Sequence, residues 1–269
     1  MEYDPIKNKL GRFFNSSLLL RKLFYFMLDT LLLRTWYIHR EIKKWGRNAA
    51  KGTNVLDAGS GFGQYSFYIA RKYPGWQILG ADVKEEQVED CNRFFKESGK
   101  TNVRFEVADL VRFSKPDSFD LAISVDVMEH ILEDVEVFRN IYTSLRKNGM
   151  LLISTPSDKG GSDAGHGGES FIGEHVRNGY NIKEIEDKLR TAGFSKTEAK
   201  YSYGVPGHIS WILSMKFPMK ILAVSKLFFI LLPFYYLITF PLCLILNRID
   251  VSVAHPTGTG LIVKAYKNR

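Results

Sequence analysis

Residues 55–66 read VLDAGSGFGQYS. A short, largely apolar stretch ending in Asp57 and Ala58 is followed by glycines at positions 59, 61 and 63, and then by QYSFYIARKY, an amphipathic run stopped at Pro74. Strand, tight turn and helix are the economical reading. Glycine tolerates positive φ and lets a backbone approach a ligand closely. Working outward, QILGAD (77–82), VRFEVAD (103–109), FDLAISVD (119–126) and MLLIST (150–155) read as further strands. Residues 85–98 carry Val88, Cys91 and Phe95 on one helical face, with Gly99 placed to end it. Phe138, Ile141 and Leu145 form a second stripe, and Gly149 lies beyond its end. Asn181, with Glu184 three residues on, forms a capping-box pattern ahead of Ile182, Ile185 and Leu189. FSKTEAKYSY (194–203) and GLIVKAY (260–266) read as strands six and seven. Strands alternating with helices at this spacing predict an α/β fold, a largely parallel sheet with helices on both faces. Ligands of such sheets bind beyond the carboxyl ends of the strands.

Asp57, Asp82 and Asp109 fall at the ends of the first three strands. An acid after the second strand suits ribose hydroxyls, and Asp109 suits an exocyclic amine, with Val83 and Leu110 placed to flank a ring. A nicotinamide site is the competing reading, but it asks for G-x-G-x-x-G, and here Gln64 stands at the third glycine position. A plainer alternative has the glycines only turning the chain and the acids only capping helices.

VLDAGSGFGQYS, LGADVK, FEVADL, FDLAISVDVMEHI and GMLLISTPS together resemble the successive motifs of class I S-adenosylmethionine-dependent methyltransferases. The DVMEHI segment is similar to the branch that includes quinone-biosynthesis methyltransferases. The resemblance implies a Rossmann-like seven-stranded sheet whose last strand is antiparallel, with S-adenosylmethionine as cofactor. Carried onto matching positions, Asp57, Gly59, Gly61 and Gly63 would hold its methionine part. Asp82 and Val83 would meet the ribose and one ring face, Asp109 and Leu110 the adenine, while Val125 and Asp126 would border the methyl-transfer centre.

A sulfonium methyl is already activated, so alignment and exclusion of water carry most of the chemistry. A hydroxyl acceptor gains from a general base. Asp126, Glu129 and His130 have i, i+3, i+4 spacing, which on one helical turn gives one face. The glycine-rich segment after strand five carries His166, Glu169, Glu174, His175 and Arg177 and reads as a lid. Three readings stand open here. A histidine (His175, His166 or His130), with Glu129 nearby, is the base; or Asp126, Glu129, His130 and His175 hold a divalent metal; or these residues only anchor the turn and the lid.

The 269-residue chain has a formal net charge of +8. Residues 1–51 hold eleven Lys/Arg against four Asp/Glu, and residues 205–250 four against one, so the surplus sits in two apolar-rich segments. That placement favours an anionic membrane surface over nucleic acid. The run LFFILLPFYYLITFPLCLIL (227–246) has no charge and interrupts the link between strands six and seven. Twenty helical residues reach roughly 30 Å, the thickness of a bilayer core. The chain must return to complete the sheet, however, and Pro233 and Pro241 divide the run, so a kinked or hairpin element within one leaflet is expected. Two cysteines, and no signal-peptide pattern, point to a reducing compartment. The expected organisation is a basic amphipathic helical segment (1–51), a cofactor-binding core (52–203), an apolar membrane-associating or substrate-capping insertion (204–257) and the final strand (258–269). The expected activity is O-methylation of a lipophilic acceptor (phenolic, quinol, polyene or lipid headgroup) by a monotopic enzyme on the cytoplasmic membrane face. The alternatives are a soluble enzyme with an apolar lid and a non-catalytic cofactor-binding protein with a partner-binding insertion.

Overall fold

The computed structural model describes residues 17–160, 176–225 and 230–268. In chain order it has α1 (Leu18–Leu31), α2 (Leu33–Trp45), β1 (Asn54–Ala58), α3 (Gln64–Lys72), β2 (Gln77–Asp82), α4 (Glu85–Glu97), β3 (Val103–Val107) and β4 (Phe119–Val125). There follow a 3-10 turn (Met128–His130), α5 (Asp134–Ser144), β5 (Leu145–Pro156), α6 (Ile182–Thr191) and β6 (Lys196–Ser202). The insertion comprises α7 (Val205–Trp211), a π-helical turn (Ile212–Lys216), α8 (Phe217–Val224) and α9 (Leu232–Ser252), and β7 (Gly260–Tyr266) closes the chain. The seven strands lie in the order β3-β2-β1-β4-β5-β7-β6, with β7 antiparallel to both neighbours. This is the Rossmann-like sheet that the motifs imply.

One face of the sheet is covered by α5 and α6, whose Phe138, Ile141, Ile185 and Leu189 pack with Leu56, Leu151 and Val263. The other is covered by α2 and α3, where Ile38, Ile42, Tyr65 and Ile69 meet Val55, Leu121 and Leu152. The Asn181 side chain caps α6 by accepting from the Glu184 N–H at 2.8 Å. Leu145 departs from its helical reading. Helix α5 stops at Ser144 and Leu145 opens β5, opposite Phe119, because the strand extends past the left-handed Asn148 (φ +65°).

Helix α1 docks on the glycine turn. Arg21 and Tyr25, both buried, each donate to the Phe62 carbonyl, and Arg21 also reaches the Asp90 carbonyl. Among the described residues of this segment, the inner face of α1 is anchored through polar groups. Leu19, Leu23 and Phe26 point outward.

The insertion leaves and re-enters the sheet at one place, since Gly260 pairs with both Ser202 and Pro156. That is the carboxyl end of β5, beside Val125. It forms a helical hairpin, α7 to α8 going out and α9 coming back. Pro233 sits in the first turn of α9, where a missing N–H costs nothing. Pro241 lies inside the helix, which continues through it, so Pro241 does not end the helix. The outward arm is the irregular one. Phe217 N–H bonds the Ile212 carbonyl, five residues back, and Pro218 has no N–H. The carbonyls of Leu213 and Ser214 thus lose their usual partners. They accept instead from the hydroxyls of Tyr235 and Tyr236 on α9, each at 2.7 Å. At the base, the fully buried Asp250 accepts from the Tyr37 hydroxyl (2.7 Å) and the Gly207 N–H (2.8 Å), and lies 3.3 Å from His255 Nε2. Asp250 thereby ties α9 to α2 and α7.

Candidate active site

Loops 59–63, 82–84, 108–111 and 126–130 gather at the carboxyl ends of β1 to β4 because neighbouring parallel strands end together. Gly59, Gly61 and Gly63 all have positive φ, +79°, +50° and +75°. A Cβ on Gly59 would strike Val127, and one on Gly63 would press on Phe105, Phe95 and Cys91. At Gly61 nothing lies within 4 Å of that position, so the turn presents bare backbone to open space. The Asp82 carboxylate spans the turn, accepting from the N–H of Gly61 (2.8 Å) and of Lys84 (3.0 Å). Val83, 61 % exposed, and Val107 offer apolar surface at the same edge. Asp109 is exposed and caps its own turn through the Val111 N–H. Leu110 is buried in the core against α5, so Val83 is the more available of the two ring-flanking candidates.

Asp57 lies under the turn, 2 % exposed, and accepts from Ser66 Oγ at 2.7 Å. Burial raises its carboxyl to about 6, against the hydrogen bond from Ser66. Its direct effect is to fix the glycine turn against α3. An open backbone cradle, an oriented carboxylate and flanking valines are the donor set and shape that S-adenosylmethionine needs.

The β4 end differs from its sequence reading. Asp126, Glu129 and His130 do not share one α-helical turn. Asp126 is left-handed (φ +53°) and only Met128–His130 are helical, as a 3-10 turn. Asp126 follows Val125, its N–H bound to the Ser154 carbonyl, and its side chain pairs with Arg34 of α2. Glu129 is buried, accepting from Thr155 Oγ1 at 3.0 Å. Burial, then the nearby Asp126 charge, raise its carboxyl to about 8, so it holds a proton at neutral pH. His130 ends the turn, half-buried. Among the described residues no three His, Cys, Asp or Glu side chains are grouped to hold a metal. The carboxylates of the metal reading point instead to Arg34 and Thr155. His166 and His175, with Glu169 and Glu174, lie outside the described residues. Val176 N–H bonds the Glu129 carbonyl, and Arg177 donates to the Ile131 carbonyl and to Asp134, fastening residues 176–177 to the β4 turn.

Three residues here escaped the sequence reading: Arg34, Tyr65 and Tyr203. The Tyr203 hydroxyl accepts from the Arg34 N–H at 3.0 Å. Gln64 Nε2 reaches Thr35 Oγ1 at 3.2 Å, and the Tyr65 hydroxyl lies close enough to Arg34 to feel its charge. A single arginine inside LLLRTW was the available signal.

A family model described as a methyltransferase domain matches residues 49–208. Phosphoethanolamine N-methyltransferase 1 of Zea mays is 32 % identical over 160 residues, 57 % of this chain and 30 % of the relative. Phosphoethanolamine N-methyltransferase 2 of Caenorhabditis elegans is 26 % identical over 160 residues, 59 % of this chain and 36 % of the relative. The chain thus spans only about a third of the length of these curated relatives. Haemonchus contortus phosphoethanolamine N-methyltransferase 2, solved with phosphomonomethylethanolamine and S-adenosylhomocysteine, superposes with a TM-score of 0.62 at 20 % identity. That match covers 87 % of this chain and 53 % of the solved one.

Proposed function

Because the chain belongs to the methyltransferase domain family, of the class I S-adenosylmethionine-dependent kind, we propose that it methylates an oxygen of a lipophilic acceptor held at a membrane face. In this reading the Gly59–Gly63 backbone takes the methionine part of the cofactor, Asp82 the ribose hydroxyls, and Val83 with Asp109 the adenine. The cofactor supplies an electrophilic methyl group whose departure needs no acid. The chain's own residues align the acceptor, exclude water and receive a proton. Asp126 and His130 stand at the β4 end for that last task, while Glu129, protonated at neutral pH, suits hydrogen-bond donation better than proton uptake.

The observation that carries the lipophilic part is the outer face of α9. Phe234, Ile238, Leu242, Ile245 and Ile249 form one exposed stripe, with Leu237 and Ile238 at 76 % and 78 % exposure. Cys243, Asn247, Asp250 and Val251 face inward. Helix α9 is long and apolar enough to cross a membrane, and little of its apolar length is buried. Its inner face is fastened along α7 and to α2, which favours lying in one leaflet over crossing it. Each large apolar side chain moved from water into hydrocarbon gains about 1.5–3 kcal/mol, so the stripe supports monotopic binding. Lys216, Lys220 and Arg248 flank the apolar run in sequence, which supports contact with anionic headgroups. The hairpin is rooted at the carboxyl end of β5, so what it gathers from lipid is delivered beside Val125 and Asp126.

A second reading has a specific support. The curated relatives are named N-methyltransferases of phosphoethanolamine, which favours a headgroup nitrogen as acceptor. Incubating the full chain with methyl-labelled S-adenosylmethionine and a membrane extract separates these readings. Label in a lipid as a methyl ether or ester supports the first, and label in a lipid or soluble amine the second. No transfer, with the cofactor still bound, would overturn both in favour of a non-catalytic binding protein.

A further inference from the structure

Eight buried side-chain polar atoms lack a hydrogen-bond partner among the described residues, and four of them lie where α2 faces α3: Arg34 Nε, His39 Nε2, Tyr65 OH and Tyr68 OH. Buried donors are rarely left unmade without a reason. His39 and Tyr68 stack on each other, rings 3.3 Å apart, near Asp29 and away from the cofactor edge. Arg34 and Tyr65 are at the edge. Tyr65 senses the charges of both Arg34 and Asp126.

We propose that Arg34 and Tyr65 form a subsite for an anionic, phosphate-like group of the acceptor, and that filling it releases Asp126 from Arg34. The inference rests on the β4 edge being the methyl-transfer site. Arg34 uses one Nη for Asp126, and its side chain lies beside the Tyr65 hydroxyl with no well-formed hydrogen bond at Nε. The Arg34 and Asp126 side chains are 37 % and 31 % exposed, so the pair is open to solvent, while Arg34 Nε and the Tyr65 hydroxyl are themselves buried. Such exposed pairs are worth only about 0–1 kcal/mol. A phosphate presents several acceptor oxygens to the guanidinium fork, and the Tyr65 hydroxyl supplies a further donor. Arg34 then exchanges one anion for another, so its charge stays compensated.

Beside Arg34, a small cleft of about 10 Å³ separates the α1–α2 junction from the hairpin, with apolar Leu32 and Trp211, polar Ser210 and Asn247, and Tyr203 in its wall. Tyr203 also binds the Arg34 N–H. Once freed, the Asp126 carboxylate accepts the proton leaving the acceptor heteroatom. That heteroatom forms its bond to the methyl as the methyl–sulfur bond breaks, and the electron pair stays on sulfur. An acceptor lacking the anion leaves Asp126 tied to Arg34, so Arg34 acts as a positioning residue that couples recognition to proton uptake.

The test is calorimetric titration of the full chain, saturated with S-adenosylhomocysteine, with inorganic phosphate and separately with dihexanoyl phosphatidic acid. Both anions are expected to bind. Tighter binding of the lipid assigns a lipid headgroup, and equal or tighter binding of phosphate assigns a soluble phosphoester. Arg34→Gln is expected to weaken either anion by about tenfold or more, and Tyr65→Phe by several-fold. Arg34→Lys is expected to recover part of the loss, and S-adenosylhomocysteine affinity is expected to stay unchanged in all three. Anion binding absent from the parent chain, or equal in parent and Arg34→Gln, overturns the subsite. Failure to bind S-adenosylhomocysteine would overturn the methyltransferase reading instead, and is read in the same titrations.

Discussion

A Cβ at Gly59 would lie 2.3 Å from Cγ2 of Val127, on the loop that leads from β4 into the 3-10 turn. The first glycine of the turn is therefore held by contact as well as by its φ of +79°. Gly61 shares the positive φ but faces open space. The two positions separate folding from cofactor binding. Gly59→Ala is expected to lose about 2 kcal/mol or more of stability, from left-handed strain plus the clash. Gly61→Ala is expected to lose about 1–2 kcal/mol from strain alone, but at least about tenfold in S-adenosylmethionine affinity. Thermal melts and cofactor titration on both variants check this. Equal cofactor loss with equal destabilisation would show that Gly61 has no ligand-facing role.

Glu129 makes stability depend on pH. Its folded value of about 8 lies above the usual 4.5, chiefly through burial. A carboxyl raised in this way favours folding at pH values below the unfolded value. The advantage fades as pH climbs from about 4.5 through 8, because the unfolded chain ionises freely while the buried group cannot. Glu129→Gln keeps an oxygen for Thr155 Oγ1 and cannot ionise. The variant is expected to match the parent near pH 5 and to exceed it by about 1–3 kcal/mol near pH 9. Denaturant midpoints measured across that range decide, and parallel curves would mean Glu129 is not held neutral.

Legibility followed the range of the interactions. Strands β1 to β5 and helix α4 are written in local period and turn chemistry, and so are the glycine turn and Asp82. Leu145 was misread because a helical stripe and the start of a buried strand both ask for an apolar residue there. Arg34 could not be read as a site residue, since Asp126 is 92 positions away and only the topology brings α2 over β4. Tyr203 has the same difficulty, 169 positions from Arg34. The apolar run 227–246 signalled a membrane-like element, but the helix that forms starts at Leu232 and ends at Ser252. Pro233 fixed the start, and Asp250, through Tyr37 and Gly207, pinned the end.

The α9 stripe predicts a membrane phenotype separable from cofactor binding. Ile238 is 78 % exposed and its substitution breaks no packing in the folded chain. A charge there opposes entry into hydrocarbon by several kcal/mol. Ile238→Glu is therefore expected to reduce sedimentation with vesicles containing anionic lipid by at least about tenfold, while S-adenosylmethionine affinity holds. Unchanged sedimentation would reassign the stripe to a soluble lid or a protein partner.

The π-helical turn gives the last expectation. In water, a Leu213 carbonyl that loses its tyrosine hydroxyl can be met by solvent, since Leu213 is only partly buried, whereas Ser214 is 3 % exposed and its carbonyl has less access. In a bilayer there is no such substitute, and an orphaned carbonyl costs several kcal/mol. Removing both hydroxyls by Tyr235→Phe with Tyr236→Phe changes little apolar surface, yet leaves both carbonyls unmatched. The double variant is expected to melt within about 1–2 kcal/mol of the parent in buffer. On vesicles it should bind more weakly, because the hairpin must keep a water-accessible turn at the surface. Protease protection of α8 and α9 on vesicles reads this directly. Full protection in the variant, matching the parent, would place the turn outside the lipid and confine membrane contact to the α9 stripe.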